Sequence, residues 1–306
     1  MDVFYHDLFT FPLPEGHRFP IQKYILLRKR LVGEGVISEE DLHVPQGARD
    51  DQLCLVHDPS YIRKLKKGGL TTREIRRMGF PWSQDLLERS RRSVGSTIAA
   101  CRSALGDGLA VNLAGGTHHA FPDHGQGFCV FNDAAVAARV MQFEHRVQRV
   151  LVVDCDVHQG NGTAAIFQND PSVFTLSIHG ENNFPFHKES SDLDLSLPDG
   201  AEDDLYLRQL QHGLDLAVDR AQADLAIYLA GADPYHGDRL GRLSLSKDGL
   251  ANRDRLVMDV CRQAGLPVAV VMSGGYGKDV NDTVDIHYQT VRVAVEFASR
   301  YRRTAR

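Results

Sequence analysis

Five short apolar runs rich in β-branched residues constrain this chain most: Leu109 to Leu113, Val150 to Val153, Val173 to Ile178, Leu225 to Leu229 and Val268 to Met272. Runs of this kind suit strands buried on both faces of a parallel sheet. Between them lie longer stretches with helical periodicity, at Trp82 to Leu105, Asn132 to His145, Asp204 to Ala223, Ser246 to Ala264 and Asp282 to Tyr301. Several of these open on a Ser, Asp or Asn that can cap a first turn. The alternation reads as βαβ units, and the expected architecture is α/β: a doubly wound, mostly parallel sheet flanked by helices. No internal repeat, low-complexity tract or Pro/Gly/Ser linker divides the 306 residues, so a single domain over 1–306 is expected.

Composition removes several classes of function. The chain is 42% hydrophobic and 25% charged, and no apolar run approaches the ~20 residues of a membrane-spanning helix. Its opening, Met1-Asp2-Val3-Phe4-Tyr5, has no basic segment leading into an apolar one, so a cytoplasmic location is expected. A formal charge of −5 argues against nonspecific nucleic-acid binding, which needs a basic footprint. Short basic clusters at Arg28 to Arg30, Lys64 to Lys67 and Arg302 to Arg306 read as solvated helix faces or a tail. The five cysteines (Cys54, Cys101, Cys129, Cys155 and Cys261) are odd in number and include no CxxC pair, which fits reduced thiols.

In doubly wound sheets ligands bind at the carboxyl ends of the strands. Four of the predicted strand ends carry chemistry there: Gly115-Gly116-Thr117-His118-His119, Asp154-Cys155-Asp156-Val157-His158, Gly231-Ala232-Asp233 and Ser273-Gly274-Gly275-Tyr276. Asp154, Asp156 and His158 alternate, so an extended segment puts them on one side of the chain. Taken alone, they can also cap and pack against a helix opening near Asn161. Asp233, from a separate strand end, completes an Asp2His set that leaves a position for water, as catalytic zinc sites do. The set contains no sulfur, so Fe2+ is also allowed. His118 and His119 can serve one site only if Gly115-Gly116 lets the chain turn sharply. One imidazole can then move a proton while the other stays charged. Tyr276, among glycines, is either a donor to an oxyanion or a core tyrosine in a turn.

These motifs, in this order, resemble the zinc-dependent histone deacetylases of the arginase/deacetylase fold. The resemblance rests on Gly-Thr-His118-His119-Ala, Gly127-Phe128-Cys129-Val130-Phe131-Asn132-Asp133, Asp154-x-Asp156-x-His158-x-Gly-Asn161-Gly, Gly231-Ala232-Asp233 with Gly237-Asp238-Arg239-Leu240-Gly241, and Ser273-Gly274-Gly275-Tyr276. Phe11-Pro12 to Gly16-His17 and Val56-His57-Asp58-Pro59-Ser60-Tyr61 extend it toward the N-terminus. The spelling looks most similar to class IV deacetylases and their bacterial relatives.

The resemblance implies a metal, Zn2+ or else Fe2+, on Asp156, His158 and Asp233. It implies His119 as general base and then acid, His118 with Asp154 as electrostatic support, and Tyr276 as oxyanion donor. Gly127, Phe128, Phe184 and Gly274 match substrate-binding positions, and Asp154 and Ser177 a structural K+ or Na+ site. Asn161 stands behind His119 where many relatives carry aspartate; a neutral partner should favour the imidazolium less. The acidic rim residue with which some relatives grip a peptide backbone is not identified. The expected partner is an acylated lysine peptide or a small acylated amine such as an acetylpolyamine, which the negative net charge suits only diffusely. A binding module without activity has no use for the full set, and Asp233-Pro234-Tyr235 lacks the second acid of a two-manganese ureohydrolase. His124, His179, His236 and His287 are expected to be surface or satisfied core groups.

Overall fold

A computed structural model describes residues 1–304, with side chains through Arg300, so the side chains of the basic run Arg302 to Arg306 lie outside the described residues. The strands are β1 (Val3–Phe4), β2 (Leu42–His43), β3 (Leu109–Asn112), β4 (Val150–Asp154), β5 (Val173–Gly180), β6 (Leu193–Leu197), β7 (Leu225–Leu229) and β8 (Val268–Val271). They form one eight-stranded sheet in the order β2-β1-β3-β8-β7-β4-β5-β6. Every pairing is parallel, so the sheet is parallel throughout rather than mostly.

The five apolar runs are β3, β4, β5, β7 and β8, and β3, β4, β7 and β8 are buried at every position. Three strands had no comparable signal. β1 and β2 are two residues each, too short for any period. β6 is an edge strand whose residues alternate between half-buried and exposed before Leu197 goes under.

The helices Gln84–Asp107, Asp133–Phe143, Asp203–Ala221, Lys247–Gln263 and Val280–Thr304 cover the expected periodic stretches. Their starts follow the capping residues: Ser83, Asn132 and Ser246 accept hydrogen bonds from the backbone amides of Leu86, Ala135 and Gly249. No described helix is long and apolar enough to cross a membrane. Two of the basic clusters are paired helix faces, Arg28 with Glu39, Arg30 with Glu34, Lys64 with Glu74 and Lys66 with Asp50.

One buried cation ties the helical layer to the catalytic edge of the sheet. Arg253, on the helix Lys247–Gln263, is 0% exposed and pairs with Asp254 at 2.8 Å. Its guanidinium also donates to the carbonyls of Gly231 and Cys155, which follow β7 and β4. Asp254 in turn accepts from the hydroxyls of Tyr228 and Thr290. Removing one partner from such a network strands a charge away from water. Arg253→Met is therefore expected to cost about 3–5 kcal/mol of stability, read as a lowered melting temperature; an unchanged midpoint would show that the network holds nothing.

Candidate metal centre and active site

The four loops that carry the chemistry leave β3, β8, β7 and β4, which are the four consecutive strands at the middle of the sheet. Chain segments more than a hundred residues apart therefore end side by side. Asp156, His158 and Asp233 come together there, with one ligand atom from each lying within 4.8 Å of the others, all buried. His158 Nδ1 stands 2.9 Å from Asp156 Oδ1 and 3.2 Å from Asp233 Oδ2. One ring nitrogen carries one proton, and it goes to the nearer oxygen. Asp233 Oδ2 is then a buried carboxyl oxygen without a hydrogen-bond partner among the described residues.

Such an oxygen is costly unless a cation meets it. The remaining carboxylate oxygens are occupied and oriented: Asp156 Oδ2 accepts from Ser273 Oγ at 2.8 Å and from the Gly274 amide at 2.7 Å, and Asp233 Oδ1 from the Val157 amide at 2.9 Å. A Cβ on Gly274 would stand 2.0 Å from Asp233 Oδ2, so only glycine closes this cradle. Two oxygens, one imidazole nitrogen and no sulfur fit a divalent ion such as Zn2+ or Fe2+.

The electrostatics agree with that fit. Burial opposes charge on His158, yet the hydrogen bond to Asp156 and the close negative charges of Asp156 and Asp233 raise it to about 10. Burial and the neighbouring Asp156 charge push the Asp233 carboxyl up to about 7. The metal-free triad thus holds protons where a divalent ion would put its charge.

The tandem histidines do turn into one site. Gly115 and Gly116 are both left-handed, at φ +81° and +76°, and the rings of His118 and His119 lie 4.1 Å apart. Asp133 holds this turn, accepting from the amides of Gly116 at 3.1 Å and Thr117 at 2.7 Å. His118 Nδ1 meets Asp154 Oδ2 at 2.6 Å and His119 Nδ1 meets Asn161 Oδ1 at 2.7 Å. The pair is electrostatically split. Burial works against charge on His118, but Asp154 and Asp156 outweigh it and raise it to about 9. Burial, together with the charges of His118 and His158, holds His119 well below the ordinary 6.5.

Tyr276 is fixed through its backbone, whose amide donates to Asp238 Oδ2 at 2.5 Å. No described residue hydrogen-bonds its hydroxyl, which faces a cavity of about 1040 Å3 also lined by His119, His158, Gly127, Phe128 and Phe184. Phe184 packs edge-on to His119 at 4.9 Å, and Phe128 lies 5.8 Å from Tyr276. Ser177 stands beside Asp154 in the β4–β5 register, its hydroxyl 2.9 Å from His179 Nδ1.

His179, buried between Ser177 and Ser196, is a satisfied core group. His287 is not: it is fully buried, and neither ring nitrogen has a hydrogen-bond partner among the described residues. Sequence reasoning also passed over three positioning residues. Asp133 and Asp238 sat inside recognised motifs without a role. Lys23 is buried to 1% exposure and donates to the Ser273 carbonyl at 2.9 Å, which no local pattern announces.

A buried ion site next to a split imidazole pair and a free phenol is equipped to bring water onto a carbonyl, and it marks the molecule as a hydrolase. A histone deacetylase domain matches residues 17–291, and the chain belongs to that family. An uncharacterized protein of Picosynechococcus is 49% identical, with 95% of this chain and 97% of that one covered. Histone deacetylase 2 of Arabidopsis thaliana is 32% identical over 89% of this chain and 73% of its own. The acetylpolyamine aminohydrolase of Burkholderia pseudomallei shares the fold, with a TM-score of 0.80 at 21% identity over 95% of this chain and 97% of that one.

Metal binding must expel the protons that the triad holds. Zinc affinity, measured by chelator competition, is expected to rise by about one log unit per pH unit between pH 7 and 8, and more steeply below 7 where Asp233 also releases a proton. Affinity that is flat from pH 6 to 8 would contradict this.

Proposed function

We propose that this chain hydrolyses the amide of N6-acylated lysine, releasing acetate or a longer acid, with zinc on Asp156, His158 and Asp233. One observation carries the reading: His158 of the triad, His119 of the split histidine pair and the unclaimed Tyr276 hydroxyl line one cavity, with Asp156 and Asp233 gathered around His158 and His118 packed against His119. When bound, the divalent ion supplies a Lewis acid for the acyl carbonyl and lowers the pKa of water, a role open to Fe2+ as well.

The protein's own groups do the rest. The His119 Nδ1–H donates to Asn161, which leaves Nε2 as the basic nitrogen. Kept neutral by burial, His119 takes a proton from the attacking water and returns it to the leaving amine. His118, held charged by Asp154, offsets the negative charge that develops, and the Tyr276 hydroxyl donates to the oxyanion. Gly127, Phe128 and Phe184 flank the substrate arm, while Gly274 leaves room beside the ion. Asp154 and Ser177 are the side chains assigned to a structural K+ or Na+. Residues 1–306 act as one catalytic domain, nearest in motif spelling to the class IV enzymes.

The same centre suits a small acylated amine, and the shared fold of a polyamine deacetylase keeps that reading in view. Either way the chemistry requires the phenol. Tyr276→Phe should lower kcat by roughly 10²–10³, the usual effect of removing an oxyanion donor, while metal content stays at the wild-type level; full turnover in this variant would remove the phenol from the chemistry. Asn161→Asp puts a carboxylate behind His119 and favours its imidazolium. The base must be neutral to act, so the acidic limb of the pH–rate profile should move to higher pH, and an unmoved limb removes Asn161 from the tuning of His119.

A further inference from the structure

The chain is acidic overall, yet the entrance to its site has the opposite sign. Five arginines line the cavity that leads to Tyr276 and His158, namely Arg18, Arg76, Arg77, Arg239 and Arg242, and no Asp or Glu is among its described lining residues. They come from three separate stretches of chain, and all five are exposed. Several arginines elsewhere meet carboxylates, as Arg91 meets Asp50, Arg102 meets Glu144 and Arg139 meets Asp170. At the entrance only Arg242 does so, with Asp199 at 3.1 Å; among the described residues the other four have no carboxylate partner. Arg239 instead donates to the backbone carbonyls of Tyr276 and Arg18. The two carboxylates of the triad, Asp156 and Asp233, are not among the residues that line this cavity. The formal charge of the described lining residues is therefore positive.

Charge of one sign lining a cleft concentrates ligands of opposite sign and repels those of like sign. Guanidinium groups add planar forks that match a carboxylate or phosphate. The apolar path inside carries no charge of its own: Phe128 and Phe184 flank it, and Phe186, 81% exposed, extends it outward edge-on to Phe184. Acyl chemistry is thus confined to the interior and charge selection to the rim.

We propose that this rim selects acylated amines that carry an anionic group within reach of the arginines, and disfavours polyamines and lysines set among basic residues. The inference rests on the deacylase reading above and names the substrate class within it. The anion has two sources, acidic side chains flanking an acyl-lysine in a peptide or the free carboxylate of a small N-acyl amine.

The test uses the zinc-loaded full chain and three acetyl-lysine peptides that differ only in having Glu, Gln or Lys on either side. It adds N6-acetyl-lysine with a free or an amidated carboxyl group, and acetylspermidine. The expected order of kcat/KM is Glu, then Gln, then Lys, with about tenfold or more between the extremes at low salt. That spread should shrink toward 1 M salt, where the screening length falls to about 3 Å. In Arg18→Glu/Arg76→Glu the ratio of Glu to Lys peptide should drop to one or below, with the circular dichroism spectrum and melting temperature as the check on folding.

A preference confined to the free carboxyl over its amide assigns the anion to a small substrate; a preference among the peptides assigns it to neighbouring side chains. Equal rates across both series, or acetylspermidine as the best substrate, overturn the proposal while leaving the hydrolase intact. No turnover of any acetyl-lysine compound, with acetylspermidine cleaved, overturns the lysine reading and this inference together.

Discussion

Two carboxylates from distant stretches of chain, Asp156 and Asp233, are brought beside each other where water does not reach, and the rest of the structure answers to that approach. Without a compensating cation the arrangement is unfavourable, which is why protons collect on His158 and Asp233 when no ion is there. Every neighbouring feature either narrows the gap or orients its oxygens. Gly274 removes the side chain that would fill it, and the amides of Val157 and Gly274 each take one oxygen out of play. What remains is a nitrogen and oxygens aimed at a common point.

The fold makes that approach possible because consecutive strands in space are not consecutive in sequence. β4 and β7 are neighbours through a register that sets Asp154 opposite Leu229, so the loops that follow deliver Asp156 and Asp233 at the same height. Arg253 then binds carbonyls just beyond both strands, those of Cys155 and Gly231, and its partner Asp254 reaches Thr290 on the last helix. On the far side, β3 and β8 place the histidine turn against the tyrosine loop, where a Cβ on Gly116 would meet Ser273 at 2.4 Å. Lys23 and Asp238 hold the same tyrosine loop through Ser273 and Tyr276. The catalytic groups are therefore positioned by backbone anchors more than by one another.

Much of this was legible before any coordinates. Strands buried on both faces must be apolar throughout, and helices with one wet face must be periodic, so the five longer central strands and five long helices announced themselves. The chemistry was legible for a related reason: carboxylates and imidazoles cluster at strand ends only where a ligand repays their burial, and the glycines beside them mark close approaches. The short strands β1 and β2 carried no period to read, and Lys23 looked like any other surface lysine. His287 looked equally ordinary and is instead a fully buried ring. Two of the basic clusters that drew notice in the sequence are met by acids in space, Arg28 by Glu39 and Lys66 by Asp50.

By itself the amino-acid sequence determined the α/β class, the residues able to hold an ion, and the residues able to move a proton. Those properties follow from side-chain type and local spacing, which a linear chain carries in full. Tertiary structure alone decided which groups share a site, which histidine is charged and which neutral, and that arginines from residues 18, 76, 77, 239 and 242 ring a single entrance. Each of these depends on Coulomb energy and desolvation, which vary with distance and burial in space, and separation along the chain does not report either quantity.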